Sequence, residues 1–347
     1  MFTSETMPSL KFVPELHKKY LLFILNGKLP NLESMETNRT VLMYFALAGL
    51  DILDEIENIP PERKESIIKW IYSLQVVNEE ENISGFLGST NLITKENRGK
   101  NSPYKWAHIA NTYSCLLSLL ILGDDLSRVN RKAIITSLKT LQLPIGSFKG
   151  AKEGVEDDMR FVFCAACICY ILDDWSGMDV ELMVQFIMKC ISYDGGVGQG
   201  PELESHSGST FCAMASLALS DNLHRLTKAQ FTGLRRWLLC RFDAGFSGRP
   251  NKPIDTCYSF WTGGALKILN AYQFIEDPNN DQFVLMTQDK YGGFSKWVNT
   301  VPDPMHTYFG LAGLSLMNIS GLNKMFCELN TTRRVHDCLK KIQEKWK

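Results

Sequence analysis

A repeat with a period near 49 residues does most to limit what this chain can fold into. A glycine-aromatic turn recurs five times: Gln75 to Gly85-Phe86, Gln142 to Gly146-Ser-Phe148, Tyr193-Asp-Gly-Gly-Val197, Phe242-Asp-Ala-Gly-Phe246 and Gln288 to Gly292-Gly-Phe294. The residues that close these turns (86, 148, 197, 246 and 294) lie 62, 49, 49 and 48 residues apart. Each turn leads into an apolar segment rich in small residues, and a similar segment precedes the first turn. The six segments begin around Phe45, Tyr113, Phe163, Phe211, Phe260 and Phe309, at spacings of 68, 50, 48, 49 and 49. Any single turn of this kind is an ordinary helix stop. Five in one register are not.

The apolar segments are too long and too rich in Ala and Gly for strands, and read as buried helices. Between them lie amphipathic, more charged stretches such as Glu62–Leu74, Asn130–Leu141 and Phe231–Leu239. Six buried helices alternating with six amphipathic ones predict an all-α chain closed into an α/α toroid. A solenoid is the competing arrangement, but two helices and a long loop per repeat favour closure. The 347 residues read as one domain with no linker, with residues 1–15 irregular and 87–103 a polar insertion that accounts for the long first spacing.

Composition excludes several roles. A net charge of -1 gives no basic footprint for nucleic acid. No apolar run approaches the roughly 20 residues that span a bilayer. The short run Tyr20–Leu25 lacks the length and cleavage site of a secretory signal. The ten cysteines are scattered and mostly sit in apolar runs, as in a reducing compartment. A cytoplasmic protein is expected.

Aligning the buried segments on their lead aromatics brings the reactive side chains into register. Arg160, Cys257 and His306 stand three residues before a lead aromatic, and His108, His206 and Asp255 five before. All therefore enter at the same end of their helices, on one rim of a central cavity. Helix capping accounts for Asp255 but is not expected to account for Cys257, His306, His206 and Arg160. Asp255, Cys257 and His306 offer one oxygen, one sulfur and one nitrogen ligand from adjacent repeats. Three protein ligands leave a fourth tetrahedral position open, the catalytic zinc pattern, which suits a thiol substrate. Arg249, Lys252, His206 and Tyr258 lie beside it in sequence or register, three potential cations and a phenol that fit a diphosphate leaving group. Phe45, Tyr113, Phe163, Phe211, Trp261 and Phe309 are expected to line an apolar cavity below the rim.

The stretch Gly248-Arg-Pro-Asn-Lys-Pro-Ile-Asp-Thr-Cys-Tyr-Ser-Phe-Trp261 resembles the signature of protein prenyltransferase β subunits. The stretches 122–130, 158–170 and 204–212 look most like the type I geranylgeranyl branch, and the likeness runs from about Leu32 to about Leu322. It implies zinc, one per β subunit, on Asp255, Cys257 and His306. It implies a geranylgeranyl diphosphate headgroup held by His206, Ser207, Gly208, Arg249, Lys252 and Tyr258, with Trp261 along the isoprenoid. The acceptor would be the cysteine of a C-terminal Cys-a-a-X motif, X usually Leu or Phe, on small GTPases of the Rho and Rac kind. Thr37, Phe45, His108, Arg160 and Met305 match positions near the peptide. Val41 stands where farnesyltransferases carry a Trp that shortens the lipid cavity. Lys296 stands where they carry an Asp that recruits magnesium, so no magnesium requirement is expected. Val41, Met305 and Ser207 depart from the branch's usual Thr, Leu and Gly, which bears on substrate preference rather than on the reaction. The family works as an αβ heterodimer, so an α subunit is implied.

The nearest alternatives are a farnesyl or Rab-type β subunit. A terpene cyclase would want an Asp-x-Asp-Asp motif, which Asp124-Asp125 and Asp173-Asp174 do not supply. A non-catalytic toroid scaffold is the remaining class.

Overall fold

A computed structural model describes residues 10–27, 33–90, 106–275 and 280–347. Six helices form an inner ring: α2 (Arg39–Ile52), α4 (Ile109–Ile121), α6 (Met159–Leu172), α8 (Ser207–Leu219), α10 (Tyr258–Ile268) and α12 (Pro304–Leu316). Each packs on the next, and α12 packs back on α2. That last contact closes the toroid, as expected, and removes the free ends a solenoid would have.

The outer helices are α1 (Pro14–Leu25), α3 (Pro61–Ser73), α5 (Arg131–Leu141), α7 (Val180–Cys190), α9 (Lys228–Leu239) and the short α11 (Gln282–Met286). Their sequences dictate the difference. The inner helices are buried almost all round, while α3, α5, α7 and α9 bury one stripe each, such as Ile67 and Ile71 or Leu234, Trp237 and Leu238. Prolines at the first turn start α1 and α3, and Asn130, Asp179 and Thr227 cap α5, α7 and α9 through their side chains.

Two boundaries differ from expectation. Pro14 and Glu15 already belong to α1, because Pro at the first helical position is preset for the turn. Leu87 and Ser89 are buried rather than part of a polar insertion, and residues 91–105 lie outside the described residues. A thirteenth helix, α13 (Arg333–Glu344), was not foreseen.

The glycine-aromatic turns are small antiparallel hairpins. The first is a ladder of β1 (Gln75–Asn78) and β2 (Ile83–Phe86) in which Gln75 faces Phe86. In the others a single bridge does the same work, pairing Gln142 with Phe148, Ile191 with Val197, Phe242 with Phe246 and Gln288 with Phe294. Phe86, Phe148, Val197, Phe246 and Phe294 are all fully buried. At four of the five, the backbone carbonyl accepts an N–H from the start of an inner helix. His108 N donates to Phe86 O at 3.2 Å, His206 N to Val197 O at 3.0 Å, Asp255 N to Phe246 O at 3.0 Å and Asp303 N to Phe294 O at 3.4 Å. Threonines one helical turn into three of those helices complete the clamp: Thr112, Thr210 and Thr307 Oγ1 accept the N–H of Phe86, Val197 and Phe294.

The other end of the ring is closed by the C-terminal segment. Tyr44 and Tyr308 both donate their hydroxyls to Asn330 O, at 2.6 and 2.7 Å, and Tyr113 donates to Leu329 O. Arg334 Nε donates to the buried Asp51 carboxylate at 2.6 Å and its Nη2 to Ile121 O. No described helix is long and apolar enough to cross a membrane.

Phe246→Ala removes a fully buried ring from a clamp that carries Asp255, and is expected to cost about 3–5 kcal/mol. A urea titration should show a lowered midpoint with the slope preserved; an unchanged midpoint would contradict the clamp.

Candidate active site and metal centre

Every inner-helix start gathers at one end of the ring, and there the capping chemistry differs from expectation. His108 and His206 are themselves N-caps: His108 Nδ1 accepts Ala110 N at 3.2 Å, and His206 Nδ1 accepts Gly208 N at 2.9 Å. Arg160 follows the capping Asp158, and His306 follows the capping Asp303. Capping therefore does explain much of the register. It also assigns the imidazole tautomer. A neutral histidine whose Nδ1 accepts a backbone N–H carries its proton on Nε2. Burial, followed by the charge of Arg249, holds His206 below the usual histidine range, which favours this neutral form. His206 Nε2–H then donates to Tyr258 Oη, 2.9 Å away.

Asp255, Cys257 and His306 converge, with their candidate ligand atoms within 4.8 Å of one another and all three residues buried. Three features bring them together. Asp255 Oδ1 accepts the Cys257 N–H at 3.0 Å, which folds both side chains inward at the start of α10. Thr256 points the other way: its N–H donates to Lys296 O, and its hydroxyl reaches Ser295 O at 2.7 Å and Thr287 Oγ1 at 2.9 Å. The residue between the two ligands thus fastens α10 to the next hairpin. Gly313 lets α12 approach, because a Cβ there would stand 2.5 Å from Ser259 Cβ.

The electrostatics of this cluster fit a cation. Burial alone would raise the Asp255 carboxyl, but the contacts from His306 and Cys257 hold it below the usual range. Burial and the neighbouring Asp255 push the Cys257 thiol well up. Burial would lower His306, yet Asp255 and Asp303 overcome it and raise the imidazole to about 9. His306 Nδ1 is fixed by Asp303 Oδ2 at 2.6 Å. Its Nε2 lies 3.3 Å from Asp255 Oδ1 but out of hydrogen-bond alignment, so it is a buried ring nitrogen with no hydrogen-bond partner among the described residues. In the charged, metal-free ring the Asp255 carboxylate offsets this; the neutral ring that a metal requires would leave that nitrogen to the cation. The oxygen, sulfur and nitrogen donors match a zinc site with one open position.

Lys296 Nζ stands 3.7 Å from Asp255 Oδ2, at the mouth of this cluster. Arg249 and Lys252 lie on the loop between the bridged Ser247 and Ile254. That loop is hung on α8: Ser207 N donates to Gly248 O at 2.9 Å. Gly248 passes under Tyr258, where a Cβ would meet the ring at 2.1 Å. Arg249 Nη1 pairs with Glu204 Oε2 at 2.7 Å. Lys252 is exposed, after Asn251 in the left-handed region.

The remaining candidates form a separate group. Arg160 is forked onto Asp158 rather than free, with Nη2 2.6 Å from Oδ2 and Nε 3.0 Å from both oxygens. His108 packs edge-on to Phe161. Thr37 is exposed ahead of α2, Val41 half-buried in its first turn, and Met305 exposed at the start of α12. The expected aromatic lining forms a chain of touching rings: Phe45–Phe309 at 5.7 Å, Phe309–Trp261 at 4.3 Å, Trp261–Phe211 at 5.1 Å, Phe211–Phe163 at 5.5 Å and Phe163–Tyr113 at 5.6 Å. Phe45 and Trp261 keep part of their surface free.

Sequence reasoning missed Asp303, Thr256, Asp158 and Glu204. An Asp three residues before a histidine at a helix start was the available signal for Asp303. The others carry none.

These features define a toroid whose helix starts bring together a candidate metal-binding triad beside a cationic rim. The chain belongs to the prenyltransferase alpha-alpha toroid domain family, which residues 12–334 match. It is 37% identical over 341 residues to the geranylgeranyl transferase type-1 subunit beta of Arabidopsis thaliana, covering 94% of this chain and 90% of that one. The Dictyostelium discoideum protein of the same name is 38% identical over 86% of this chain and 88% of its own length. Among solved structures, the fold is similar to a chain of Candida albicans protein geranylgeranyltransferase-I complexed with GGPP, at a TM-score of 0.85 and 27% identity over 96% of this chain and 99% of that one.

Below pH 9 the metal-free site holds a proton on both His306 and Cys257, so zinc binding should release protons and tighten as pH rises towards 9. Calorimetry in buffers of different ionisation enthalpy reads this directly. Asp303→Ala should lower zinc affinity about 10–100-fold by freeing the His306 ring; unchanged affinity would reject that role.

Proposed function

We propose that this chain is the catalytic β subunit of a protein geranylgeranyltransferase of type I. It would transfer the lipid of geranylgeranyl diphosphate to the thiol of a C-terminal Cys-a-a-X motif, X usually Leu or Phe, on small GTPases of the Rho and Rac kind. The observation that carries this reading is the convergence of Asp255, Cys257 and His306 beside the His206–Tyr258 pair and the Arg249 loop. A thiol site and an anion site share the start of α10.

Zinc held by Asp255, Cys257 and His306 would keep the acceptor thiol as a nucleophilic thiolate at neutral pH. The chain's own groups handle the rest. The reaction forms a bond from sulfur to C1 of the lipid and breaks the bond from C1 to the diphosphate oxygen, so negative charge grows on the leaving group. His206 Nε2–H donates to Tyr258 Oη, which leaves the Tyr258 hydroxyl proton as the donor for the leaving group, and Arg249, Lys252 and Lys296 supply positive charge. Burial, then Cys257 and Asp255, hold the Tyr258 phenol above its usual range, so it stays a donor. Ser207 and Gly208 set the start of α8 beneath this rim, where the helix N-terminus favours an anion. Trp261 and Phe45 offer apolar surface for the isoprenoid, and the small Val41 leaves room at its far end. Thr37, Phe45, His108, Arg160 and Met305 would meet the acceptor peptide, which requires Arg160 to share its guanidinium with Asp158.

The active species is an αβ heterodimer. A cytoplasmic setting agrees with ten cysteines that are all free, eight of them buried. Lys296 takes the place of a magnesium ion.

Transfer of labelled lipid to paired peptides ending in Leu and in Ser or Met tests the reading, and preference for farnesyl diphosphate or for the Ser peptide would refute the type I assignment. Val41→Trp should move lipid choice towards farnesyl diphosphate. Lys296→Asp should make turnover magnesium-dependent; a variant indifferent to magnesium rules that role out.

A further inference from the structure

The Arg249–Glu204 pair has a bearing on how the anion site works. Arg249 Nη1 lies 2.7 Å from Glu204 Oε2, and the side chains are 37% and 59% exposed. Glu204 stands two residues before His206, on the loop that leads from the Val197 hairpin into α8. A carboxylate therefore sits against the cation that the proposed diphosphate would need.

Two observations show that the pair is not what holds the loops together. The Arg249 loop is fixed to α8 by Ser207 N donating to Gly248 O at 2.9 Å and by Ser207 Oγ donating to Ser247 O at 3.3 Å. The Glu204 loop is fixed by His206 N on Val197 O, and by Ser205 Oγ on Asp194 Oδ1 at 2.6 Å. Asp194 in turn accepts Trp237 Nε1 at 2.9 Å. Both backbones are set by hydrogen bonds that do not involve the ion pair.

An exposed pair on two rigid supports is weak and easily exchanged. A diphosphate carries more charge than one carboxylate and presents several acceptor oxygens to one guanidinium, so it displaces Glu204 from Arg249. We propose that Glu204 is a positioning residue that serves as a resident counter-ion for Arg249. It holds the guanidinium beside His206 while the site is empty, competes with the incoming diphosphate, and takes the cation back as the product diphosphate leaves. This inference rests on the reading of Arg249 as a diphosphate ligand.

The test uses the purified heterodimer and inorganic pyrophosphate as the probe. Removing the competitor in Glu204→Gln should lower the inhibition constant of pyrophosphate and the KM for the lipid diphosphate by roughly two- to five-fold, the range of an exposed ion pair. It should leave the acceptor peptide's KM unchanged. In an Arg249→Gln background the same Glu204→Gln change should have no effect on pyrophosphate inhibition, because the two act through each other. A purely structural Glu204 would change binding equally in both backgrounds. Unchanged or weakened inhibition in Glu204→Gln alone, or an equal change in both backgrounds, overturns the inference. The underlying reading fails separately: if Arg249→Gln by itself leaves pyrophosphate inhibition intact, Arg249 is not a diphosphate ligand.

Discussion

The hydrogen bond from the start of four of the six inner helices to the carbonyl of a buried hairpin residue is the contact on which the rest of the molecule depends. It appears as His108 on Phe86, His206 on Val197, Asp255 on Phe246 and Asp303 on Phe294. A helix start has N–H groups without intrahelical partners, and these must be met by something. Here a carbonyl held rigid by a fully buried side chain meets one of them, and a capping side chain meets another. The hairpin also sets where the first turn begins, and so which residues face the rim. At the far end, a residue in the left-handed region one or two positions past each inner helix turns the chain outward: Asp54, Gly123, Asp173, Asp221, Asn270 and Asn318. Ring closure between α12 and α2 then converts six local solutions into one concave site.

The rim built this way is charged but largely paired. Arg160 is forked onto Asp158, Arg249 makes a single contact with Glu204, and Lys296 leans on Asp255. These carboxylates keep the cations near the rim, and the exposed pairs are weak enough to exchange for an incoming anion. The candidate metal ligands follow the same logic. Asp303 fixes one nitrogen of His306 and leaves the other 3.3 Å from Asp255, while Thr256, between Asp255 and Cys257, is fastened to the hairpin that carries Lys296. The Asp255–Cys257 segment and the hairpin that carries Lys296 are thus mechanically joined through Thr256.

Much of this was legible in the chain itself. The period near 49 located all six inner helices, and the register placed Asp255, Cys257 and His306 on one rim. The capping roles of His108 and His206 were not legible, because imidazole is an uncommon cap and its choice of Nδ1 depends on the hairpin beneath it. Nor was α13, whose Arg334 finds its partner in Asp51, 283 residues away.

The sequence by itself determined the repeat, the alternation of buried and amphipathic helices, and the donor set of the metal site. Those follow from local periodicity and residue chemistry, which need no knowledge of what lies across the ring. Only the tertiary structure decided which cation pairs with which carboxylate, that Asp303 orients His306, and that Thr256 points away from the centre. At the rim such pairings join residues 2 to 45 positions apart, within a helix start or across neighbouring repeats. A separation in sequence does not set a distance in space until closure of the ring fixes every helix start against its neighbours.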